Sequence, residues 1–478
     1  MEGPAPRSPE VASTPDARAA APAPTAAGRP VTLLLFSVAF LDVVGFSIIF
    51  PLFPQLLAHY LAAEGDASTI GALTRALQAL TGEHAQASFL VTVLFGGVLG
   101  SLYSLLQFSF APVWGALSDR FGRRPTLLVS LVGTLASFVG WAFAGNFVLL
   151  VFWRLLGGLM AGNLSTISAI AADTSTAETR SRAMGVVGAA IGIGFIVGPV
   201  VGGLTSLAAL APVGVAPAAA LALTPFSAPA FAAAALAAAN LALAAAKLPE
   251  TLPRERRGRG DATRTASLVT MFTGIHSAAG RRANVVSFLF LTAFATMEFT
   301  LTFVTAERFG FAPRDNAGMF VLIGIVYALV QGGVVRRLGP RVGDRRLAHA
   351  GLVVMLPGFL LLALATHVVG FAVGLAIATA GSALANPTMS SLVSRYAPPE
   401  QQGLALGIFR SLGALSRVIG PLAGAALYWR FGASSPSLVA AALGVVPLVL
   451  ALGLPDPATL TPVDYGAPRG RALGGSSP

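Results

Sequence analysis

Two carboxylates, Asp42 and Glu298, stand inside stretches that are otherwise apolar: VTLLLFSVAFLDVVGFSIIF around the first and SFLFLTAFATMEFTLTFV around the second. An ionised side chain in hydrocarbon is costly unless it is paired or hydrated, so a carboxylate kept there points to work such as carrying a proton. Burial favours the neutral acid and a neighbouring arginine favours the anion. A carboxylate alternating between such surroundings takes up and releases one proton per cycle. The plainer alternative is a fixed ion pair or a helix contact inside a bundle.

Three arginines share that kind of setting. Arg154 lies in LLVFWRLLGGLM, and Arg410 and Arg417 lie in FRSLGALSRVIGPL. The latter two are seven residues apart, which is two helical turns, so they share one face. Two cations on one stripe suit an anionic substrate, because guanidinium grips a carboxylate through two parallel hydrogen bonds. Pairing within their own half, or snorkelling to the surface, is the alternative. Gln107 and Gln331 can hydrogen-bond either a substrate or a neighbouring helix, and both readings stay open. Asn386-Pro387 can kink a helix and turn an amide towards a cavity.

Other chemistry has little to stand on. The chain has no cysteine, and its five histidines sit at no metal-ligand spacing, so no metal site and no cofactor is expected. There is no phosphate-binding loop after a strand and no catalytic triad order. The chain reads as a non-enzyme.

The elements that must position these side chains are membrane helices. Of 478 residues, 55% are apolar and only 11% are charged, too few to cover a soluble surface. Runs of about 20 apolar residues span a bilayer. Twelve such spans are predicted at about 31–56, 89–116, 125–145, 147–171, 183–207, 226–247, 283–306, 315–335, 347–367, 368–394, 403–428 and 434–454. A short amphipathic helix is expected over 68–81.

Residues 1–30 read as a disordered tail, 31–247 as a first six-helix bundle, 248–282 as an Arg-rich linker, 283–454 as a second bundle and 455–478 as a second tail. Net charge is +11, which raises nucleic acid as a partner. The arginines fall between apolar runs instead, so topology explains them. Only Arg75, Arg308, Arg314 and Arg430 fall on the face opposite the termini. That asymmetry places both termini in the cytoplasm.

The most specific motif is Gly115-Ala-Leu-Ser-Asp-Arg-Phe-Gly-Arg-Arg-Pro125, a charged hairpin between the second and third spans. The two halves repeat one another. Gly185 precedes Gly198-Pro199 by the interval that separates Gly407 from Gly420-Pro421, and Gly332-x6-Gly339 stands as counterpart of Gly115-x6-Gly122. Such a repeat is the plan of a transporter whose halves rock about a midplane site.

On these motifs the chain resembles the major facilitator superfamily over its whole membrane region, and within it the tetracycline/proton antiporters. Asp42, Gly45, Pro51 and Pro54 match their first helix; Gln107-Phe108, Ala111-Pro112 and the hairpin their second; Arg154, Gly158 and Gly162 their fourth. Gly194, Gly198, Pro199, Gly202 and Gly203 match the fifth-helix antiporter motif, whose glycines serve first for close packing. Runs such as MEFTLTFVTAERFGF resemble a eukaryotic tetracycline-transporter-like group of organic-anion antiporters. Three positions depart: Tyr327, Met355 and Ser137 stand where the antiporters carry His, Asp and Asp. Those groups serve proton and drug coupling there, which argues against a metal–tetracycline mechanism and leaves Glu298 to take the protonatable role.

The resemblance implies an all-α membrane protein of two pseudo-symmetric six-helix halves, acting as a proton-coupled antiporter that exports organic anions or amphiphilic drugs. Asp42, Glu298 and Arg154 are then the proton-coupling set. Arg410, Arg417, Gln107, Asn386, Gln331 and Tyr327 are the substrate-binding set. Gly115, Asp119, Arg120, Gly122, Arg123 and Arg124 form a gate on the cytoplasmic side, one-sided because Arg336 takes the Asp119 position in the second half. The partners are small molecules, protons and lipid, with a monomer in the plasma (inner) membrane. A facilitator or importer of a metabolite anion, or a non-transporting receptor, is the alternative on the same fold.

Overall fold

The computed structural model of the chain describes residues 29–65, 67–81, 87–175, 177–212, 215, 219–257, 277–397 and 402–457. The tails expected at 1–30 and 455–478 fall almost wholly outside the described residues, as does the linker from 258 to 276. Among the described residues the regular secondary structure is helical, apart from one isolated bridge between Ala144 and Leu221. Eleven helical segments are long and apolar enough to cross a membrane. The twelfth long helix, Gln402–Phe431, bears Arg410, Arg417 and Arg430 and is long enough to cross at 30 residues.

The first span is built from α1 (Arg29–Ser47), a short 3-10 turn at Phe50–Leu52, and α2 (Phe53–Glu64). Pro51 and Pro54 lack the N–H that a continuous helix needs there, so the chain bends beyond Asp42. The expected amphipathic helix follows as α3 (Thr69–Thr81). Then come α4 (Ala87–Phe121) and α5 (Arg123–Ala142), parted only by Gly122.

The fourth span is two pieces, α6 (Phe147–Met160) and α7 (Asn163–Asp173). Gly162 leaves room for Trp114 of α4 at the break. Trp114 Nε1 donates to the Leu159 carbonyl at 2.8 Å, and Gln107 Nε2 to the Ala161 carbonyl at 3.3 Å. Two carbonyls freed by the interrupted helix thereby find donors. The first half closes with α8 (Ala177–Thr205) and α9 (Ser227–Lys247).

The second half runs α10 (Ala278–Phe309), α11 (Pro313–Leu329), a π-helical stretch at Val330–Val335, α12 (Arg336–Val342), α13 (Asp344–Leu364), α14 (Val368–Arg395), α15 (Gln402–Phe431) and α16 (Ser435–Leu452).

Glycine sets how closely these helices meet, because in lipid association rests on packing rather than on expelled water. A Cβ on Gly194 would lie 3.1 Å from the Phe40 carbonyl and one on Gly198 would lie 2.6 Å from that of Val44, so α8 rests backbone to backbone on α1. The second half repeats the device: Gly420 and Gly424 of α15 press on Ala295 and Thr296 of α10.

Other glycines join the halves. A Cβ on Gly97 would lie 2.8 Å from the Pro421 carbonyl, and one on Gly203 would lie 2.7 Å from that of Pro313. Gln55 Nε2 donates to the Phe311 carbonyl at 3.0 Å. All three contacts lie at the end of the molecule away from Gly122. The seam is therefore shut at that far end.

Candidate functional site

Between the halves lies a chamber with about 600 Å³ of empty space. Phe46, Phe50 and Phe53 line it from the first span, Ser104 from α4, Arg154 from α6 and Phe195 from α8; Glu298, Phe299 and Thr302 come from α10, and Arg417 from α15. A second space of about 400 Å³ adjoins it towards the hairpin end, lined by Asp42, Tyr103, Gln107, Thr134 and Leu164 among others. Both share Phe46, Phe195 and Arg417. Arg417 thus stands at the junction, with Glu298 on one side and Asp42 on the other.

Neither chamber arginine forms a salt bridge among the described residues. Arg154 is only 4% exposed, its guanidinium 4.6 Å from the centroid of the Tyr103 ring, and its Nε has no hydrogen-bond partner. The ring face offsets part of the cost of burying that charge. Arg417 stands 5.8 Å from the Phe195 ring centroid. Glu298 is half-buried and feels the charge of Arg417 without pairing to it. Tyr327 also lies within the field of Glu298, and its hydroxyl bonds Ser382 Oγ at 2.9 Å.

Asp42 is held differently. Asn163, the first residue of α7, donates Nδ2 to Asp42 Oδ1 at 2.5 Å. Ser130 Oγ donates to Asn163 Oδ1, which turns the amide hydrogens towards the carboxylate. The break in the fourth span brings Asn163 to this place.

The other candidates divide. Gln107 lines the second space while its amide nitrogen serves the helix break. Arg410 sits two turns closer to the hairpin end than Arg417 and bonds Ser168 Oγ across the seam at 3.2 Å. Gln331 does not join the site: it is exposed within the π-helical stretch, where the wider turn changes the facing of residues after Tyr327. Asn386 is half-buried in α14, which runs on through Pro387, and lines neither space. Met355 is fully buried in the apolar core, and the Ser137 hydroxyl is spent on the Thr134 carbonyl at 2.7 Å.

The hairpin motif is mostly helix. α4 continues through Gly115, Asp119 and Arg120 to Phe121, and the turn is confined to Gly122, at φ 108°. Arg123 is its hub. Its Nη1 meets Asp119 Oδ1 at 2.6 Å and Ser118 Oγ at 2.7 Å, and its Nε meets Asp173 Oδ2 at 2.9 Å. Glu250, just after α9, accepts from the backbone N–H groups of Arg123 and Arg124 at 3.0 and 3.2 Å. A carboxylate there offsets the unpaired amides at the start of α5. Arg124 reaches the Ala245 carbonyl at 2.7 Å, whereas exposed Arg120 lies 5.2 Å from the centroid of its neighbour Phe121.

Gly339 is not the structural counterpart of Gly122; Gly343 is. It has φ 84° and immediately precedes α13, as Gly122 precedes α5. Asp344 then holds the place of Arg123, and meets Arg395 at 3.6 Å and Ser391 Oγ at 2.6 Å. Arg395 ends α14 as Asp173 ends α7. The ion pair between the start of the third span and the end of the fourth is thus repeated in the second half with its signs exchanged, whereas Asp119 still has no acidic counterpart, Pro340 standing three residues before Gly343.

Arg123→Ala should cost roughly 2–3 kcal/mol, since it strands two carboxylates that share one largely buried cation. Thermal unfolding in detergent checks this. Arg120→Ala should leave the midpoint unchanged, and equal midpoints for the two variants would remove the hub.

Several contributors carry no signal in sequence: Asn163, Ser130, Tyr103 and Ser168 are ordinary polar residues in apolar helices. Glu250 was hidden among the charges of the linker.

The Major Facilitator Superfamily model matches residues 35–342 and 337–473. The chain is 34% identical over 450 residues to Major facilitator superfamily domain-containing protein 10 of Homo sapiens, covering 90% of this chain and 94% of that protein. It is 28% identical over 404 residues to the class C tetracycline resistance protein of Escherichia coli, covering 83% and 89%. The crystal structure of the human organic anion transporter MFSD10 (TETRAN) matches with a TM-score of 0.70 and 32% identity, over 88% of this chain and 99% of that one.

Proposed function

The chain belongs to the major facilitator superfamily of transporters, and we propose that it moves organic anions by alternating access, with Glu298 as the group that binds and releases a proton. One observation carries this reading. The chamber between the halves sets two guanidinium groups, buried Arg154 and half-buried Arg417, against a single lining carboxylate, inside walls of phenylalanine. Such a space offers an aromatic body an apolar bed and its carboxylate or sulfonate two cations.

The relative solved as an organic anion transporter supports the substrate class. The likeness to tetracycline/proton antiporters supports coupling to a proton. A facilitator with Glu298 locked to an arginine fits less well, because Glu298 forms no salt bridge among the described residues. The arginine asymmetry puts the termini and the hairpin in the cytoplasm. The shut seam then faces outward and substrate arrives from the cytoplasmic side. The chamber is complete within one chain, which suits a monomer in the plasma (inner) membrane.

The test is uptake of labelled aromatic anions into proteoliposomes under imposed pH gradients. Transport that saturates and responds to the gradient supports the reading; indifference to the gradient returns the protein to facilitated passage. Arg410 is placed to receive anions on their way in. Arg410→Ala should raise the half-saturating concentration of an aromatic carboxylate about tenfold, ~1.4 kcal/mol, and that of its uncharged amide far less. An equal rise for both would make Arg410 structural.

A further inference from the structure

We propose that in this chain the organic anion and the proton cross together, in the same direction, rather than in exchange. The inference rests on the reading that the chamber takes organic anions, and adds to it the sign of the coupling.

The ionisable groups of the paired cavities are Arg154, Arg417, Glu298 and Asp42. Asp42 accepts an amide hydrogen whose direction is fixed by Ser130, an arrangement that suits the ionised carboxylate. With all four groups charged, the two cavities together carry no net charge. An anion entering them leaves one uncompensated negative charge. When both ends of the seam close around the substrate, that charge has no water to spread into, and an unpaired buried charge is strongly disfavoured. One proton restores neutrality.

Glu298 is the group placed to take it. Its nearest cation, Arg417, is also the cation that an anion would engage. As the substrate draws on Arg417, Glu298 loses its compensation and gains a proton more readily. Anion and proton therefore favour each other's binding. By linkage, a pair that binds cooperatively in one occluded state travels together.

No other element around Glu298 undoes this balance. α15 brings Arg417, with Arg410 two turns nearer the hairpin end and lining neither cavity, and α4 and α11 bring Tyr103 and Tyr327, whose phenols are ordinarily neutral near pH 7. α16 carries no ionisable residue, and α14 carries only Arg395, at its hairpin end. On α2, His59, Tyr60 and Glu64 lie towards the far end.

The experiment uses the full chain in liposomes loaded with fluorescein-labelled dextran as an internal pH reporter, at equal pH on both sides. The probes are aromatic sulfonates and carboxylates, with naphthalene-2-sulfonate as the permanently ionised member, so that leakage of a neutral acid cannot imitate the result. Adding the anion outside should acidify the interior, with about one proton per anion taken up, and a potassium diffusion potential should leave the uptake rate unchanged. Glu298→Gln should still admit the anion, without acidification and with a rate that now responds to the potential.

Anion uptake that makes the interior alkaline, or leaves its pH unchanged, would overturn the proposal while the anion-transporter reading stands. If wild-type protein moves none of the probes, the substrate reading itself fails and takes this inference with it.

Discussion

Glu298→Gln is expected to abolish accumulation driven by a pH gradient while leaving exchange of labelled for unlabelled anion within about threefold of wild type. A gradient of about two pH units is worth ~2.7 kcal/mol, since each unit is worth ~1.36, and so sustains about 100-fold accumulation at one proton per anion. Glutamine keeps the shape of the side chain but cannot release a proton, so that drive is lost entirely. The two guanidinium groups remain in place, so the anion still binds and the halves still rock around it. Exchange needs only those two events. The expectation holds whichever way the proton travels. Gradient-driven accumulation retained in the variant would remove Glu298 from the coupling.

Arg417→Gln is expected to lower the transport efficiency for aromatic anions about 100- to 1000-fold, or roughly 3–4 kcal/mol. Among the described residues Arg417 is the one charged side chain that lines both cavities, and its field reaches Glu298. Removing it takes a cation from the substrate and from Glu298 the charge whose field acts on it. Arg417→Lys should recover about tenfold of the loss, because an ammonium group keeps the charge but not the planar fork. Initial uptake rates across substrate concentrations measure both, with the unfolding midpoint as a control for folding. Unchanged anion transport in Arg417→Gln would place the substrate elsewhere.

The fold was legible wherever hydrophobicity speaks plainly. Each of the twelve apolar runs corresponds to a long helix or a pair of helices, because spanning a bilayer leaves the backbone no other open-ended choice. Charges sunk in those runs were legible for the same reason: Asp42, Glu298, Arg154 and Arg417 all line one of the two cavities. Neutral polar residues were not. Asn163 reaches Asp42 only because the fourth span breaks at Ala161-Gly162, and nothing in the spacing marks that break as the one that matters. Gln331 failed by rotation, since a π-helical stretch lies beneath a pattern read as ordinary helix. The second-half ion pair was missed because glycine spacing pointed to Gly339, whereas backbone conformation singles out Gly343.

At the shut end of the seam, Gly97 and Ala425 meet across the two halves, in a chain without a single sulfhydryl. A cysteine pair installed at these two positions would need no native thiol cleared away first. The β-carbons sit nearer than the ~3.8 Å a disulfide spans, so a small outward shift of the helices accommodates the bond. Oxidant would then padlock this end of the seam and reductant would unlock it, giving the experimenter a switch for the opening that the alternating-access proposal requires.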